Sequence, residues 1–185
     1  MKYLIALSYI FFISEFILML VKRSKKSNSK QRDDRGSLVL MWITITLCFT
    51  FGFIFANYSV WRLLNFVIAG VGLLIILTGF VIRWMAIIQL KNAFTVDVAI
   101  GNEQNLKTDG LYKIIRHPSY LGLWLILVGF SVCMNSIISI LIIVIPMFIV
   151  LLYRISVEEK VLVEAFGEKY MVYRTNTKMI IPFVI

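Results

Sequence analysis

Two short stretches hold most of the residues in this chain that are equipped for chemistry. "IIRHPSYLG" (114–122) sets Arg116 and the only histidine, His117, beside Pro118, Ser119 and Tyr120. "YRISVEE" (153–159) adds Arg154, Glu158 and Glu159. Basic groups, carboxylates and phenols in such company can hold a zwitterion or steady an anion. Pro118 suits the first turn of a helix, where its missing N–H costs nothing. The N–H groups that follow are expected to be unpaired and to carry the positive end of the helix dipole, which attracts anions. Arg154 and Glu158, four apart, share a helix stripe with Val161 and Ala165, the apolar side of that helix. Glu159 lies toward the edge of that face, and Lys160, Glu164 and Glu168 read as solvated charges. A plainer reading makes His117 a helix cap and Arg154–Glu158 a surface pair worth about 0.3–0.5 kcal/mol. The residues alone leave both open.

The elements that must position them are membrane helices. The chain is 60% hydrophobic with a mean hydropathy of +0.88, and its charges sit in blocks between apolar runs at 3–21, 38–56, 63–82 and 120–153. A bilayer crossing needs about 20 apolar residues. The first run ends in the charge cluster "KRSKK", which reads as a retained span and not a cleaved signal. The fourth run is too long for one crossing and breaks at Met134–Asn135–Ser136, which predicts a tight hairpin of two short arms. Each arm, at roughly 16 residues and 1.5 Å of rise per residue, is about 24 Å long. The third run continues without a breaker to Leu90. Segment 22–37 reads as a solvated connector, and 94–112 as irregular, with turn signals at Gly101–Asn102 and Asp109–Gly110. The expected architecture is a single all-α, multi-pass membrane domain over 1–185 with about five transmembrane helices. Three spans lie within 1–90; the hairpin, a cytoplasmic site and a C-terminal helix lie within 91–185.

The net charge of +9 follows topology and gives no reason to expect nucleic acid as a partner. Loop 22–37 holds seven Lys/Arg, 84–119 four and 154–185 five, against Arg62 alone in 57–62. Cytoplasmic loops carry the excess of Lys and Arg, so the amino terminus is expected outside and the carboxyl terminus in the cytoplasm. Cys48 and Cys133 lie in apolar runs without metal or redox spacing and read as packing. One histidine and no cysteine cluster speak against a protein-built metal site. Glu15 and Arg83 fall inside spans at similar depth. An ionisable group there is a functional candidate by default, and the matched depth predicts a structural pair. Gly70, Gly72 and Gly79 are expected to let helices pack closely.

A hairpin of antiparallel helices returns its last residues to its first, so "RHPSY" and "YRISVEE" should be neighbours on the cytoplasmic side. "GLYKIIRHPSYLG", followed after a hairpin by "RISVEEKVLVEAFGEKYMVYRTNTKMIIPF", resembles the isoprenylcysteine carboxyl methyltransferase family. That family belongs to a wider group of membrane methyltransferases that includes the phospholipid N-methyltransferases. The resemblance covers roughly residues 91–185. It implies S-adenosylmethionine as cofactor, held between the loop before the hairpin and the helix after it. The implied cofactor contacts are Gln104, Asn105, Leu106, Lys107, Tyr112, His117, Pro118, Ser119, Tyr120 and Glu158. Gln104 stands where eukaryotic members tend to have histidine. Arg154 matches the arginine assigned to the acceptor's carboxylate, and the implied acceptor is a prenylcysteine-like or other lipophilic molecule in the bilayer.

The donor's carboxylate, ammonium and sulfonium call for an anion cradle, a carboxylate and aromatic surface, and the two stretches offer these in kind. Three alternatives stand beside carboxyl methylation. One is methylation of a phospholipid amine. A second is an NADPH-dependent, sterol-reductase-like enzyme, which would call for more clustered cations than Arg116 and Arg154. A third is a membrane carrier or assembly subunit, against which the nearly charge-free centres of spans two to five argue.

Overall fold

In the computed structural model, residues 2–22, 29–32, 36–58, 66–91, 94, 99–101 and 105–181 are described. Among these residues, four helices are long and apolar enough to cross a membrane: α1 (Lys2–Val21), α2 (Ser37–Tyr58), α3 (Phe66–Leu90) and α5 (Ile137–Phe166). The shorter apolar helix α4 (Pro118–Cys133) precedes α5, and α6 (Glu168–Asn176) follows it. Large side chains such as Tyr9, Phe16, Leu20, Leu74 and Ile149 face outward, as lipid contact requires.

The hairpin forms at the expected break. Asn135 takes a left-handed conformation (φ 59°), which asparagine tolerates better than most residues. Ser136 caps α5 by accepting the Ser139 N–H at 3.4 Å, and the Ser139 hydroxyl donates to the Gly52 carbonyl at 2.8 Å, tying the turn to α2. The two arms are unequal, contrary to expectation. α4 has 16 residues, but α5 runs for 30 without interruption, carrying Arg154, Glu158 and Glu159 on the same rod that crosses the bilayer.

α3 and α4 pack backbone against backbone. A Cβ on Gly72 would meet the Gly129 carbonyl at 2.9 Å, and one on Gly79 the Gly122 carbonyl at 2.8 Å. Both glycine pairs are seven apart, and on antiparallel helices they interlock. Gly70 is a correction: among the described residues nothing lies within 4 Å of its would-be Cβ, so it mediates no close packing with them. α1 joins through aromatic contacts, with Phe11 stacked on Phe49 at 6.1 Å and close to Phe80 and Phe130.

The fold class is helical as expected, with one addition. β1 (Ser29–Arg32) pairs antiparallel with β2 (Ala99–Gly101). Parts of two segments read as a connector and an irregular loop thus form a small ribbon. Alternating regions of charge and turn residues gave no strand periodicity to detect.

Candidate functional site

The segment before α4 is built by a turn and a strap. Gly110 sits at φ 61°, and a Cβ there would meet the Gln89 side-chain oxygen at 2.5 Å. That same oxygen accepts the Leu111 N–H at 2.9 Å. The 3-10 turn that follows, Gly110–Lys113, buries Tyr112. Its hydroxyl donates to the Ala86 carbonyl at 3.3 Å, and its own carbonyl accepts from the Tyr173 hydroxyl at 2.6 Å. Burial pushes the Tyr112 phenol well above its ordinary pKa, so it stays a donor. Beyond α6 the chain turns back alongside residues 114–117. The Arg116 N–H donates to the Lys178 carbonyl (2.8 Å) and the His117 N–H to the Met179 carbonyl (3.0 Å), with Ile180 buried behind them.

The two carboxylates exchange the places expected of them. Glu159 is buried and Glu158 is about a third exposed at its side chain. Three groups from other elements decide this by converging on Glu159. Arg116 Nε donates at 2.8 Å, His117 Nε2 lies at 3.4 Å and Arg174 Nε at 3.5 Å. Arg116 spends its Nη1 on the Arg174 and Thr177 carbonyls, so it is a clamp between the segment, α5 and the tail. His117 stands at the N-cap position of α4, yet its ring makes no cap hydrogen bond. The ring lies between both carboxylates, with Nδ1 3.7 Å from Glu158 Oε2. Among the described residues, His117 Nε2 and Glu158 Oε2 are buried without a hydrogen-bond partner.

Arg154 is almost wholly buried. Its Nε donates to the Tyr120 hydroxyl at 3.1 Å and its Nη1 to Ser37 Oγ at 2.6 Å. The expected structural pair is present too: Arg83 Nε and Nη2 meet Glu15 Oε1 and Oε2 at 2.5 and 2.6 Å. The row of free N–H groups expected at the start of α4 is largely used up. Tyr120 and Leu121 both donate to the His117 carbonyl, and the His117 N–H is taken by the tail. A tight first turn and the returning strap leave little of the anticipated anion cradle.

A pocket of about 550 Å³ opens among Asn105, Leu106, Thr108, Phe166, Glu168, Lys169 and Val172. Of the expected cofactor stretch, Asn105 and Leu106 line it, whereas Lys107 pairs with Asp109 at 2.7 Å. Gln104 lies outside the described residues. Tyr112, His117, Ser119, Tyr120, Arg154 and Glu158 cluster at one end of the bundle, as the hairpin argument required. Sequence reasoning did not single out Ser37, Tyr173 or the tail strap; Ser37 in particular carries no local signal.

The sequence profile of the isoprenylcysteine carboxyl methyltransferase family matches residues 71–164, just over half of the chain. The chain belongs to this family. Among members, protein-S-isoprenylcysteine O-methyltransferase B of Arabidopsis thaliana is 34% identical over 126 residues, covering 67% of this chain and 61% of that one. The Schizosaccharomyces pombe protein-S-isoprenylcysteine O-methyltransferase is 32% identical over 57% of this chain and 46% of its own. A methanethiol S-methyltransferase of Pseudomonas deceptionensis is 34% identical over 61% and 42%. The chain thus spans about three fifths of the length of the Arabidopsis relative, and less of the other two. The solved structure of a eukaryotic intramembrane Ras methyltransferase of the family superposes with a TM-score of 0.64 at 24% identity. It covers 77% of this chain and 52% of that one, and shares the fold. Together with the four apolar helices, the family makes this an integral, multi-pass membrane protein.

Proposed function

We propose that this protein is a methyltransferase that takes a methyl group from S-adenosylmethionine and esterifies a carboxylate on a lipophilic acceptor. The observation that carries the reading is the buried Oε2 of Glu158, which makes no hydrogen bond among the described residues and has the His117 ring 3.7 Å away, at the end of the bundle where Tyr112, Tyr120 and Arg154 also meet. An orphaned carboxylate oxygen is costly, and an ammonium such as the donor's would satisfy it. Half-buried Tyr120 offers aromatic surface beside it, and the pocket that Asn105 and Leu106 line has room for a nucleoside, although none of Tyr112, His117, Tyr120 or Glu158 lines that pocket. The residues present therefore fit the cofactor, though with fewer free backbone N–H groups for its carboxylate than the sequence suggests. When bound, the cofactor supplies an electrophilic methyl group on a sulfonium.

The chain's part is to hold and align. The Tyr120 and Ser37 hydroxyls fix the orientation of the Arg154 guanidinium. An acceptor carboxylate, a stronger acceptor than a hydroxyl, would compete for those N–H groups through a planar, two-point fork. A carboxylate is already ionised at neutral pH, so no general base is needed. Alignment of the acceptor oxygen and exclusion of water by the buried surroundings are what the protein contributes. The charge distribution supports a cytoplasmic site with the amino terminus outside.

The test is the product. Incubation with labelled donor and a panel of lipophilic carboxylates, thiols and phospholipid amines should give a base-labile ester that releases methanol under alkali. Arg154→Lys should lower turnover at least tenfold, the loss of one charge-assisted hydrogen bond, while affinity for S-adenosylhomocysteine stays nearly unchanged. A base-stable thioether or methylamine as the only product overturns the carboxyl assignment.

A further inference from the structure

Glu15 lies in α1, ahead of the family match, which begins at residue 71. Its carboxylate is buried and both oxygens are spent on Arg83 of α3, at 2.5 and 2.6 Å. Arg83 then uses Nη1 to grip Ser119 twice, at the carbonyl (3.0 Å) and at Oγ (3.1 Å). Ser119 is the second residue of α4, between the His117–Pro118 step and Tyr120. Tyr120 is in turn held by Arg154. The approach is made possible by Gly122, where a Cβ would meet the Arg83 backbone nitrogen at 2.6 Å.

From this chain of contacts we infer that Glu15 is a positioning residue for the site. It acts through Arg83 to fix the first turn of α4, and so the placement of His117 and Tyr120. An arginine with Nε and Nη2 engaged in a two-point pair cannot swing about its long side chain. Its remaining Nη1 is therefore aimed at Ser119. Without Glu15 the guanidinium keeps its charge in a buried place and seeks other acceptors. A buried ion pair within spans is costly to maintain. Holding a functional turn from a helix outside the family-matched region gives it a purpose that packing alone does not.

The kinetic arm of the test rests on the proposed methyl transfer; the exchange arm does not. Hydrogen–deuterium exchange of the full-length protein in detergent should show Glu15→Gln speeding exchange at residues 117–122. Exchange around the hairpin turn, 134–140, should stay as in the parent. In the transfer assay the same variant should lose about tenfold or more in kcat, as a displaced reacting geometry does, with the acceptor KM changed less than twofold. Glu15→Asp, one methylene shorter, should recover part of both. The exchanged pair, Glu15→Arg with Arg83→Glu, restores an ion pair but puts no N–H donor opposite Ser119. It should recover protection throughout the bundle except at 117–122, and should not recover kcat. Uniformly faster exchange in every variant, or full recovery of 117–122 by the exchanged pair, overturns the positioning role. An absence of methyl transfer in the parent protein sinks the proposed function while the exchange pattern still decides this one.

Discussion

Replacing Gly129 by alanine puts the α3–α4 seam to a quantitative test. The added Cβ would lie 2.6 Å from the Gly72 carbonyl oxygen and 2.7 Å from the Ile76 backbone nitrogen. Ordinary contact begins near 3.4 Å, so the helices must part by about 0.8 Å at that level, and the obstacle is backbone that cannot rotate away. Overpacking of this kind costs roughly 1–3 kcal/mol, and the seam has no lipid-exclusion term with which to recover it, because tails are as apolar as the helices. The strain should reach the site, because the same two helices carry Arg83 and Ser119 toward its end. Gly70→Ala is the matched control: same helix class, same chemistry, nothing within 4 Å. It should be neutral or up to about 1 kcal/mol stabilising through helix propensity. Reversible denaturation in mixed micelles, followed by tryptophan fluorescence, reads both. Equal free-energy changes for the two variants would refute the backbone-contact seam.

Glu158→Gln should weaken S-adenosylhomocysteine binding by about tenfold or more, the worth of a charge-assisted hydrogen bond. The exposed Glu164→Gln should leave it unchanged by calorimetry. Glu159→Gln leaves Arg116 buried beside a neutral amide and should cost about 3–5 kcal/mol of stability, measured by the same denaturation assay. For topology, cysteine introduced at the exposed positions Tyr58 and Asn176 of a cysteine-free parent should react with an impermeant maleimide in intact cells only at position 58. Labelling at 176 reverses the orientation.

The long apolar helices and the hairpin were legible because each rests on a property of the local sequence: apolar length, and a polar break at Met134–Asn135–Ser136. So was the meeting of His117 with Glu158, since antiparallel arms return to their origin. The inversion of Glu158 and Glu159 was not, because helix periodicity knows only the faces of its own helix. Arg116, His117 and Arg174 arrive from elsewhere and draw Glu159 inward. Glycines 122 and 129 could have been read, since their spacing repeats that of 72 and 79. Ser37 could not: a serine at a helix start is ordinary, and only the fold brings Arg154 to it.

The strap beyond α6 bears on how the molecule comes into being. The carbonyls of Lys178 and Met179 that receive the N–H groups of Arg116 and His117 are made some sixty residues after their partners. During synthesis the membrane helices are all laid down while those two amides still have nothing to bind. Glu159, made in the interval, meets Arg116 before Arg174 and the strap emerge. A chain truncated and released before Lys178 should be membrane-integrated, yet lack the two carbonyl partners that hold the Arg116 and His117 amides.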